Sequence, residues 1–302
     1  MPSPRGAAAQ NMGLLLMIAG SAVDSTSGLF TRLIHADGFT LASGRGFFAF
    51  IITLAVLFWR DGRKAPATVW GIGLTGLCIV LLNATGMIVN ILSLSYTSVA
   101  NFFMIFAAAP FAAALAARLV LGEKLDVPTL LAAAAGFAGI AIMMASGATG
   151  GGLIGDLLAV LCLATYSGII LLVRKTPTFD VVPMACVTVL TSGLLALPFA
   201  DFSTVTSHEW PLFALFGMVQ LAIGNFLIFM AMTRIPAAQS GLLGILNAAF
   251  APLWVFFFLG EWPTRAALIG GGIILASAAA HLAWTMWQAP RAAAHRDMSV
   301  RA

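Results

Sequence analysis

Polar residues recur with helical spacing inside two of the long apolar runs of this sequence. Positions i, i+3, i+4 and i+7 of a helix share one face. Two such faces occur, Ser21-Asp24-Ser25-Gly28 and Asn83-Gly86-Met87-Asn90. Carboxylate, hydroxyl and amide groups on one face can hydrogen-bond a polar solute, and without a partner they are costly in an apolar surrounding. Both faces are therefore predicted to line a binding site.

Further amide and phenol groups within apolar runs extend this predicted site. The candidate binding residues are Asp24, Asn83, Asn90, Asn101, Tyr166, Asn225, Gln239 and Asn247. For each amide taken singly, the alternative role is a hydrogen bond between packed helices, which contributes about 0.6 kcal/mol on average in a membrane protein. A whole polar face favours a binding role, because a packing bond needs only one residue.

Asp24 and Arg45 are charged residues at similar depths on either side of one predicted turn. An ionisable group within a membrane-spanning segment marks a functional site or is paired with another charge. Three possibilities stay open. The residues form a structural ion pair, Asp24 binds a substrate ammonium or a coupling proton, or neither role applies.

The elements that position these residues must be helices in a lipid bilayer. Of the 302 residues, 61% are hydrophobic and 9% are charged, and the mean hydropathy is +1.01. A soluble domain carries about 25% charged residues and cannot hide so much apolar surface. The composition excludes a soluble globular protein, a disordered chain and a disulfide scaffold, and it makes nucleic acid an unexpected partner.

Ten stretches are long enough to cross a bilayer, which takes about 20 apolar residues in a helix. Charged or glycine-rich turns separate most of them, for example at 60–64 and 148–152. The predicted fold is an all-α integral membrane protein. Its ten transmembrane helices are predicted at 12–34, 38–59, 68–92, 97–121, 127–146, 153–174, 179–200, 210–232, 236–260 and 265–288.

The distribution of Lys and Arg predicts the orientation of these helices. With the amino terminus inside, twelve of the 15 basic residues fall in inner segments, Arg32 and Arg265 fall in outer ones, and Arg45 lies within a span. Cytoplasmic segments of membrane proteins are enriched in Lys and Arg. The chain is therefore predicted to be a multi-pass plasma-membrane protein, with cytoplasmic tails at 1–11 and 289–302.

The two halves of the chain repeat each other. A shift of 138 residues places Leu121-Gly122-Glu123 on Leu259-Gly260-Glu261, and a shift of 142 places Asp24 on Tyr166. The predicted five-helix repeats span 12–147 and 153–288. Because five is odd, the second repeat enters the membrane from the opposite side. Inverted repeats are common in secondary transporters, which hold substrate between the halves and work by alternating access.

With these features, the chain resembles the EamA-like branch of the drug/metabolite transporter superfamily. Leu-Gly-Glu ends the fourth helix of each repeat, and Arg45-Gly46-Phe47-Phe48-Ala49 is similar to the family's Arg-Phe-x-x-Ala second helix. Ala109-Pro110 through Glu123 is similar to its fourth helix, although in the second half Ala248 holds the proline position. The overall pattern is most similar to the YddG-type exporters of aromatic amino acids. This resemblance implies the export of small metabolites.

The competing function class is an integral membrane enzyme acting on lipid. It would need clustered carboxylates, a metal set or a nucleophile–base pair, whereas the 11 acids are scattered and the four histidines and three cysteines form no metal motif. The run Gly71-x-Gly73-x-x-Gly76 falls within a predicted span, which indicates helix packing rather than a dinucleotide site. The sequence predicts no enzyme, no metal and no cofactor.

The predicted substrate follows from the scarcity of embedded cations. Phosphate esters are bound by Lys or Arg, but every lysine falls in a predicted cytoplasmic loop. Amides can hold an ammonium and a carboxylate, and aromatic faces can hold a ring. The predicted function is a secondary transporter that exports amino acids with large apolar or aromatic side chains. Cationic drugs are the second substrate class, nucleotide sugars or organophosphates are the third, and a proton is the candidate coupling ion.

Overall fold

The computed structural model describes residues 4–123, 125–150, 152–175, 180–235 and 242–301. Every regular element within these ranges is helical. The α-helices are α1 (Pro4–Asp24), α2 (Ser27–Leu33), α3 (Gly38–Asp61), α4 (Ala65–Trp70), α5 (Gly73–Tyr96), α6 (Val99–Phe106), α7 (Ala109–Leu121), α8 (Val127–Gly150), α9 (Leu153–Lys175), α10 (Val181–Ala196), α11 (Trp210–Ala214), α12 (Gly224–Met232), α13 (Leu242–Leu259) and α14 (Arg265–Arg301). A π-helical segment, Leu215–Ile223, joins α11 to α12.

The helices are long enough to form a membrane bundle. Eight spans in the described part of the chain are long and apolar enough to cross a bilayer: Gln10–Leu33, Gly38–Trp70, Gly73–Tyr96, Val127–Ala148, Leu153–Val173, Val181–Phe199, Trp210–Met232 and Arg265–Gln288. The bent pair α6 and α7 makes a ninth. The predicted ninth helix, 236–260, includes residues 236–241, which lie outside the described residues, and its apolar part Ile245–Leu259 is shorter.

Polar side chains cap several of the helices at the turns. Asp37 accepts hydrogen bonds from the backbone N–H groups of Phe39 and Thr40 at the start of α3. Ser98 does the same for α6 and Asp180 for α10. A side-chain oxygen at this position satisfies N–H groups that have no partner within the helix. The short polar turns between apolar runs therefore set where these helices begin.

The repeated Leu-Gly-Glu motif ends a helix in both halves. Gly122 follows α7 with φ = 69°, and Gly260 follows α13 with φ = 68°. In each case the glycine N–H donates to a carbonyl four residues earlier, that of Arg118 or Phe256. A residue with a Cβ atom rarely adopts this left-handed conformation, so glycine is the usual residue at such a helix end. The motif is a pair of equivalent helix stops.

The halves pack against each other in a reciprocal pattern. Helix α1 of the first half packs on α12 of the second. In the repeat, α9 is equivalent to α1 and α5 is equivalent to α12. The equivalent pair, α9 and α5, also packs together. Equivalent helices also pair directly, α3 with α10 and α8 with α14. A pseudo-two-fold relation between two repeats requires this exchange. It brings polar faces from both halves to the centre of the bundle.

Helix breaks interrupt two of the predicted spans. The first predicted helix, 12–34, breaks at Ser25 and Thr26 into α1 and α2. The fourth, 97–121, breaks at Ala107 and Ala108 with a bend of 43°. Pro110 follows that second break and can take the first turn of a new helix, where its missing N–H costs nothing.

Other helix boundaries also differ from prediction, and the first helix begins at Pro4 where residue 12 was expected. The third helix was expected at 68–92, but residues 65–70 form the separate helix α4, and the long helix is Gly73–Tyr96. Pro66 lies in the first turn of α4 and starts it as an element of its own. At the other end of the chain, α14 continues as helix beyond the predicted boundary at 288, to Arg301.

Candidate functional site

A cavity of about 510 Å³ lies between the two halves. Its volume is within the range of about 300–1,000 Å³ that is usual for small-molecule sites. The polar residues in its wall are Asp24, Thr53, Asn83, Tyr166, Thr188, Asn225 and Asn247. The rest of the wall is apolar and includes Phe106, Phe226, Phe229, Met87 and Met232. Among the described lining residues, Asp24 alone carries a formal charge.

The structure brings five of the eight candidate binding residues to this cavity. They are Asp24, Asn83, Tyr166, Asn225 and Asn247. Asp24 and Tyr166, which the repeat places at equivalent positions, therefore face the same space. Asn90 and Asn101 do not line it, and Gln239 lies outside the described residues.

Asp24 is held by amide groups of the second half. Asn247 Nδ2 donates to its Oδ2 at 2.9 Å, and Gln220 Nε2 donates to its Oδ1 at 3.2 Å and to its backbone carbonyl at 2.9 Å. Asn247 is 3% exposed, and its own Oδ1 has no hydrogen-bond partner among the described residues. These bonds orient the Asp24 carboxylate at the wall of the cavity.

The break between α1 and α2 leaves backbone carbonyls beside Asp24 that need partners from other helices. Where the helix stops, backbone carbonyls lose their partners in the next turn, and in a bilayer they must be satisfied from elsewhere. Trp254 Nε1 donates to the Ala22 carbonyl at 3.1 Å and to Ser25 Oγ at 3.0 Å. Gln220 bonds the Asp24 carbonyl. Side chains of the second half thus stabilise an interrupted helix of the first.

Asn101, a candidate binding residue, is hydrogen-bonded to a buried carboxylate instead of lining the cavity. Its Nδ2 donates to Asp156 Oδ1 at 3.1 Å, and Thr97 Oγ1 donates to the same oxygen at 2.6 Å. Asp156 lies in the first turn of α9 and is 0% exposed. In this structure Asn101 joins the halves away from the cavity.

Asp24 and Arg45 do not form a contact ion pair. Of the described residues, neither takes part in a nitrogen–oxygen pair within 4.0 Å of an opposite charge. The two groups are still near enough to attract each other electrostatically. The Arg45 guanidinium instead stacks over the Phe216 ring at 5.1 Å. The two charges are thus close without neutralising each other by contact.

One end of the bundle is closed by side-chain contacts, whereas the cavity reaches towards the other. At the end that carries Arg32, named here the Arg32 end, Arg32 donates to the carbonyls of Leu94 and Thr97, both at 2.9 Å, and pairs with Glu261 at 3.2 Å. Phe30, two residues before Arg32 in α2, stacks on Phe216 with ring centroids 5.2 Å apart.

Glu209 closes the same end through loop contacts. It accepts hydrogen bonds from the Thr206 hydroxyl at 2.6 Å, the Thr206 N–H at 2.9 Å and the His35 N–H at 2.8 Å. These bonds, the Thr206 hydroxyl foremost, lower the pKa of Glu209 to about 2. The carboxylate therefore stays ionised and keeps the loop before α11 tied to the turn after α2.

The cavity reaches towards the opposite end, which carries Arg60 and is named the Arg60 end. Its wall includes Val181, the first residue of α10, and Met232, the last residue of α12. Arg60 bridges Asp180 at this end, just outside α10. The cavity thus runs from the Asp24 carboxylate at mid-bundle to the Arg60 end.

Sequence reasoning left several contributing residues out of the predicted site. Gln220 was recognisable as an amide within an apolar run. Thr53 and Thr188 gave no such signal, because threonine satisfies its hydroxyl on its own helix and occurs freely in apolar helices, as Thr53 does with the Ala49 carbonyl at 3.1 Å. Across the described residues, no three His, Cys, Asp or Glu side chains are placed to hold a metal ion.

Comparison with known proteins identifies both a family and a similar fold. The model of the EamA-like transporter family matches residues 11–145 and again 153–282. A solved crystal structure of a protein has a TM-score of 0.60 and 18% sequence identity to this chain, over 89% of this chain and 96% of its own. At that identity the likeness concerns the fold alone. No curated protein matches the sequence.

Proposed function

The chain belongs to the EamA-like transporter family of the drug/metabolite transporter superfamily, and from this premise we propose that it exports amino acids with large apolar or aromatic side chains. This substrate class is the one transported by the YddG-type exporters that the sequence resembles. The observation that carries the proposal is the composition of the cavity wall, in which one carboxylate, Asp24, stands among amides, hydroxyls and an extensive apolar surface.

The wall suits an amphipathic solute with an ammonium group. Asp24 can pair with the ammonium, and the Asn83, Tyr166 and Asn225 side chains can hydrogen-bond neighbouring polar atoms. Phenylalanine and methionine side chains elsewhere in the wall can bury an apolar side chain. Among the described lining residues there is neither Lys nor Arg, and the Asp24 carboxylate would repel a phosphate dianion, which disfavours phosphate esters.

Alternating access by two inverted repeats of five helices supplies the transport cycle. If ten helices of this chain cross the plasma membrane and both termini are cytoplasmic, the Arg60 end faces the cytoplasm. The cavity then opens to the cytoplasm, and the Arg32 end is closed by the Arg32–Glu261 pair and the stacked rings. This is the state in which an exporter loads its substrate, and a proton is the candidate coupling ion.

The export of cationic drugs is the second candidate. Two features of the described wall support it. The charged group, Asp24, is an acid, and the Phe106 and Tyr166 rings, with centroids 5.3 Å apart, line the same cavity. Aromatic faces beside a carboxylate attract organic cations. An amino acid differs from such a cation in its carboxylate, so the two candidates are separable by substrate.

Transport by purified protein in liposomes tests the proposal. Labelled phenylalanine, tryptophan, methionine and threonine are compared with a sugar phosphate and a cationic dye, each with and without a pH gradient. We expect uptake of the amino acids with large side chains, and stimulation by the pH gradient if a proton is the coupling ion. Transport of the dye or the sugar phosphate without any amino acid would contradict the proposal.

Cysteine labelling tests the orientation. Single cysteines placed at Lys124 and Arg265 are expected to react from opposite sides of the membrane, with Lys124 on the cytoplasmic side. Reaction of both from one side would contradict the inverted ten-helix arrangement, whatever the substrate is.

A further inference from the structure

Arg45 is a buried cation that no anion among the described residues contacts. Arg45 is 6% exposed, and its Nη1 has no hydrogen-bond partner among the described residues. Its guanidinium lies over Phe216, which is 0% exposed and stacks in turn on Phe30. A ring face offers only part of what a charged, five-donor group requires.

An uncompensated guanidinium in this position is unstable without an anion. Removing a charge from water carries a large desolvation penalty, which is offset only when the charge is paired and hydrogen-bonded. Asp24 attracts Arg45 from a distance, but its two carboxylate oxygens accept from Gln220 and Asn247 instead. The structure thus holds an acid and a base that are close together and are not bonded to each other.

The position of Arg45 is fixed by close backbone packing. A Cβ atom on Gly46 would come within 2.8 Å of the Gly193 nitrogen, and one on Gly217 within 2.5 Å of the Arg45 carbonyl oxygen. The Ser43 hydroxyl also donates to the Gly193 carbonyl at 3.0 Å. Helix α3 is therefore clamped between α10 and the π-helical segment, which fixes the backbone at Arg45.

Arg45 lies next to the Asp24 end of the cavity, away from the Arg60 end. Asp24, which interacts electrostatically with Arg45, lines the cavity. Cys162 also interacts electrostatically with Arg45. It precedes the lining residue Tyr166 by one helical turn. Further along α3, Thr53 lines the cavity towards the Arg60 end. Arg45 itself is not among the described lining residues, so its guanidinium lies behind the wall, near Asp24.

We propose that Arg45 binds the carboxylate of the transported solute while Asp24 binds its ammonium, so that a zwitterion completes the charge arrangement that the empty site leaves open. The inference rests on the proposed function and extends it, because it names the second recognition group and the substrate class. A carboxylate can accept two parallel hydrogen bonds from one guanidinium. A cation without a carboxylate would leave Arg45 uncompensated.

Competition on the wild-type protein tests this without any variant. Uptake of labelled phenylalanine into liposomes is measured against unlabelled phenylalanine, its methyl ester, phenethylamine and 3-phenylpropionate. We expect the ester and the amine, which lack the carboxylate, and the phenylpropionate, which lacks the ammonium, each to compete at least tenfold less well than phenylalanine. An ester that competes as well as phenylalanine would overturn the assignment of Arg45.

A variant then identifies the residue. Arg45→Gln is expected to raise the KM for phenylalanine at least tenfold and to leave the inhibition by phenethylamine within about threefold, because the amine does not use the guanidinium. Arg63→Gln, which removes an exposed arginine near the Arg60 end, is the matched control and should change neither value. Equal weakening of both ligands in Arg45→Gln would show a structural role and overturn the proposal.

The two proposals fail in different ways. If the wild-type protein transports no amino acid, the proposed function fails and this inference fails with it. If it transports phenylalanine but accepts the methyl ester equally, the function stands and the role of Arg45 alone is refuted.

Discussion

Asn247 of α13 donates a hydrogen bond of 2.9 Å to the Asp24 carboxylate, which ends α1, and this bond links the two halves at a helix break. Both residues also line the cavity. A contact between halves at the binding site is where opening and closing can be coupled to occupancy, since a ligand shifts a conformational equilibrium only through contacts that differ between the states.

Neutralising Asp24 should weaken amino-acid recognition. Asp24→Asn keeps the size of the side chain but removes the charge that pairs with an ammonium. We expect the KM for phenylalanine to rise at least tenfold, or about 1.4 kcal/mol, in the liposome assay. Asp126→Asn, at a turn remote from the cavity, serves as the control. Recovery of transport when Arg45 is also neutralised would instead identify a structural charge balance.

Removing the Asn101 amide should affect stability rather than binding. In Asn101→Ala the buried Asp156 carboxylate loses one of its two described side-chain donors, which costs about 1–3 kcal/mol. We expect a lower melting temperature in detergent and an unchanged KM for phenylalanine. Asn83→Ala, which alters the cavity wall, should show the reverse. A raised KM with unchanged melting in Asn101→Ala would return this residue to the binding site.

The helix break before α2 depends on the Trp254 indole. Trp254→Phe keeps most of the ring but removes the donor to the Ala22 carbonyl and to Ser25 Oγ. The expected loss is about 0.5–3 kcal/mol of stability, seen as a lower melting temperature. Trp59→Phe is the matched control, because Trp59 is 87% exposed. Equal melting of the two variants would show that the indole N–H does not stabilise the break.

The contribution of Glu209 should persist to unusually low pH. Its pKa is lowered from an ordinary value of 4.5 to about 2, so its stabilising effect is complete above pH 4.5 and is lost as the pH falls through about 2. The difference in melting temperature between the wild type and Glu209→Gln should be constant from pH 7 to about 5 and shrink below that. A difference that vanishes already near pH 5 would contradict these hydrogen bonds.

The membrane character, the helical class and the duplication were all readable from the amino-acid sequence. Hydrophobic content and run length depend only on composition and order along the chain, and a bilayer admits few structures besides helices for such runs. The repeated Leu-Gly-Glu was readable for the same reason, since a helix stop at Gly122 or Gly260 is a local backbone property. Helical spacing also predicted that Asp24 and Asn83 face the cavity.

Which of the polar residues form the site depends on how the helices pack in three dimensions. Asn101 and Asn83 look alike in sequence, yet one meets Asp156 across the halves and the other faces the cavity. The break after Asp24 was likewise not readable, because the groups that stabilise it, Gln220 and Trp254, come from about 200 residues later in the chain. Spacing orders the groups on one helix, whereas partners on another helix depend on how the two halves pack.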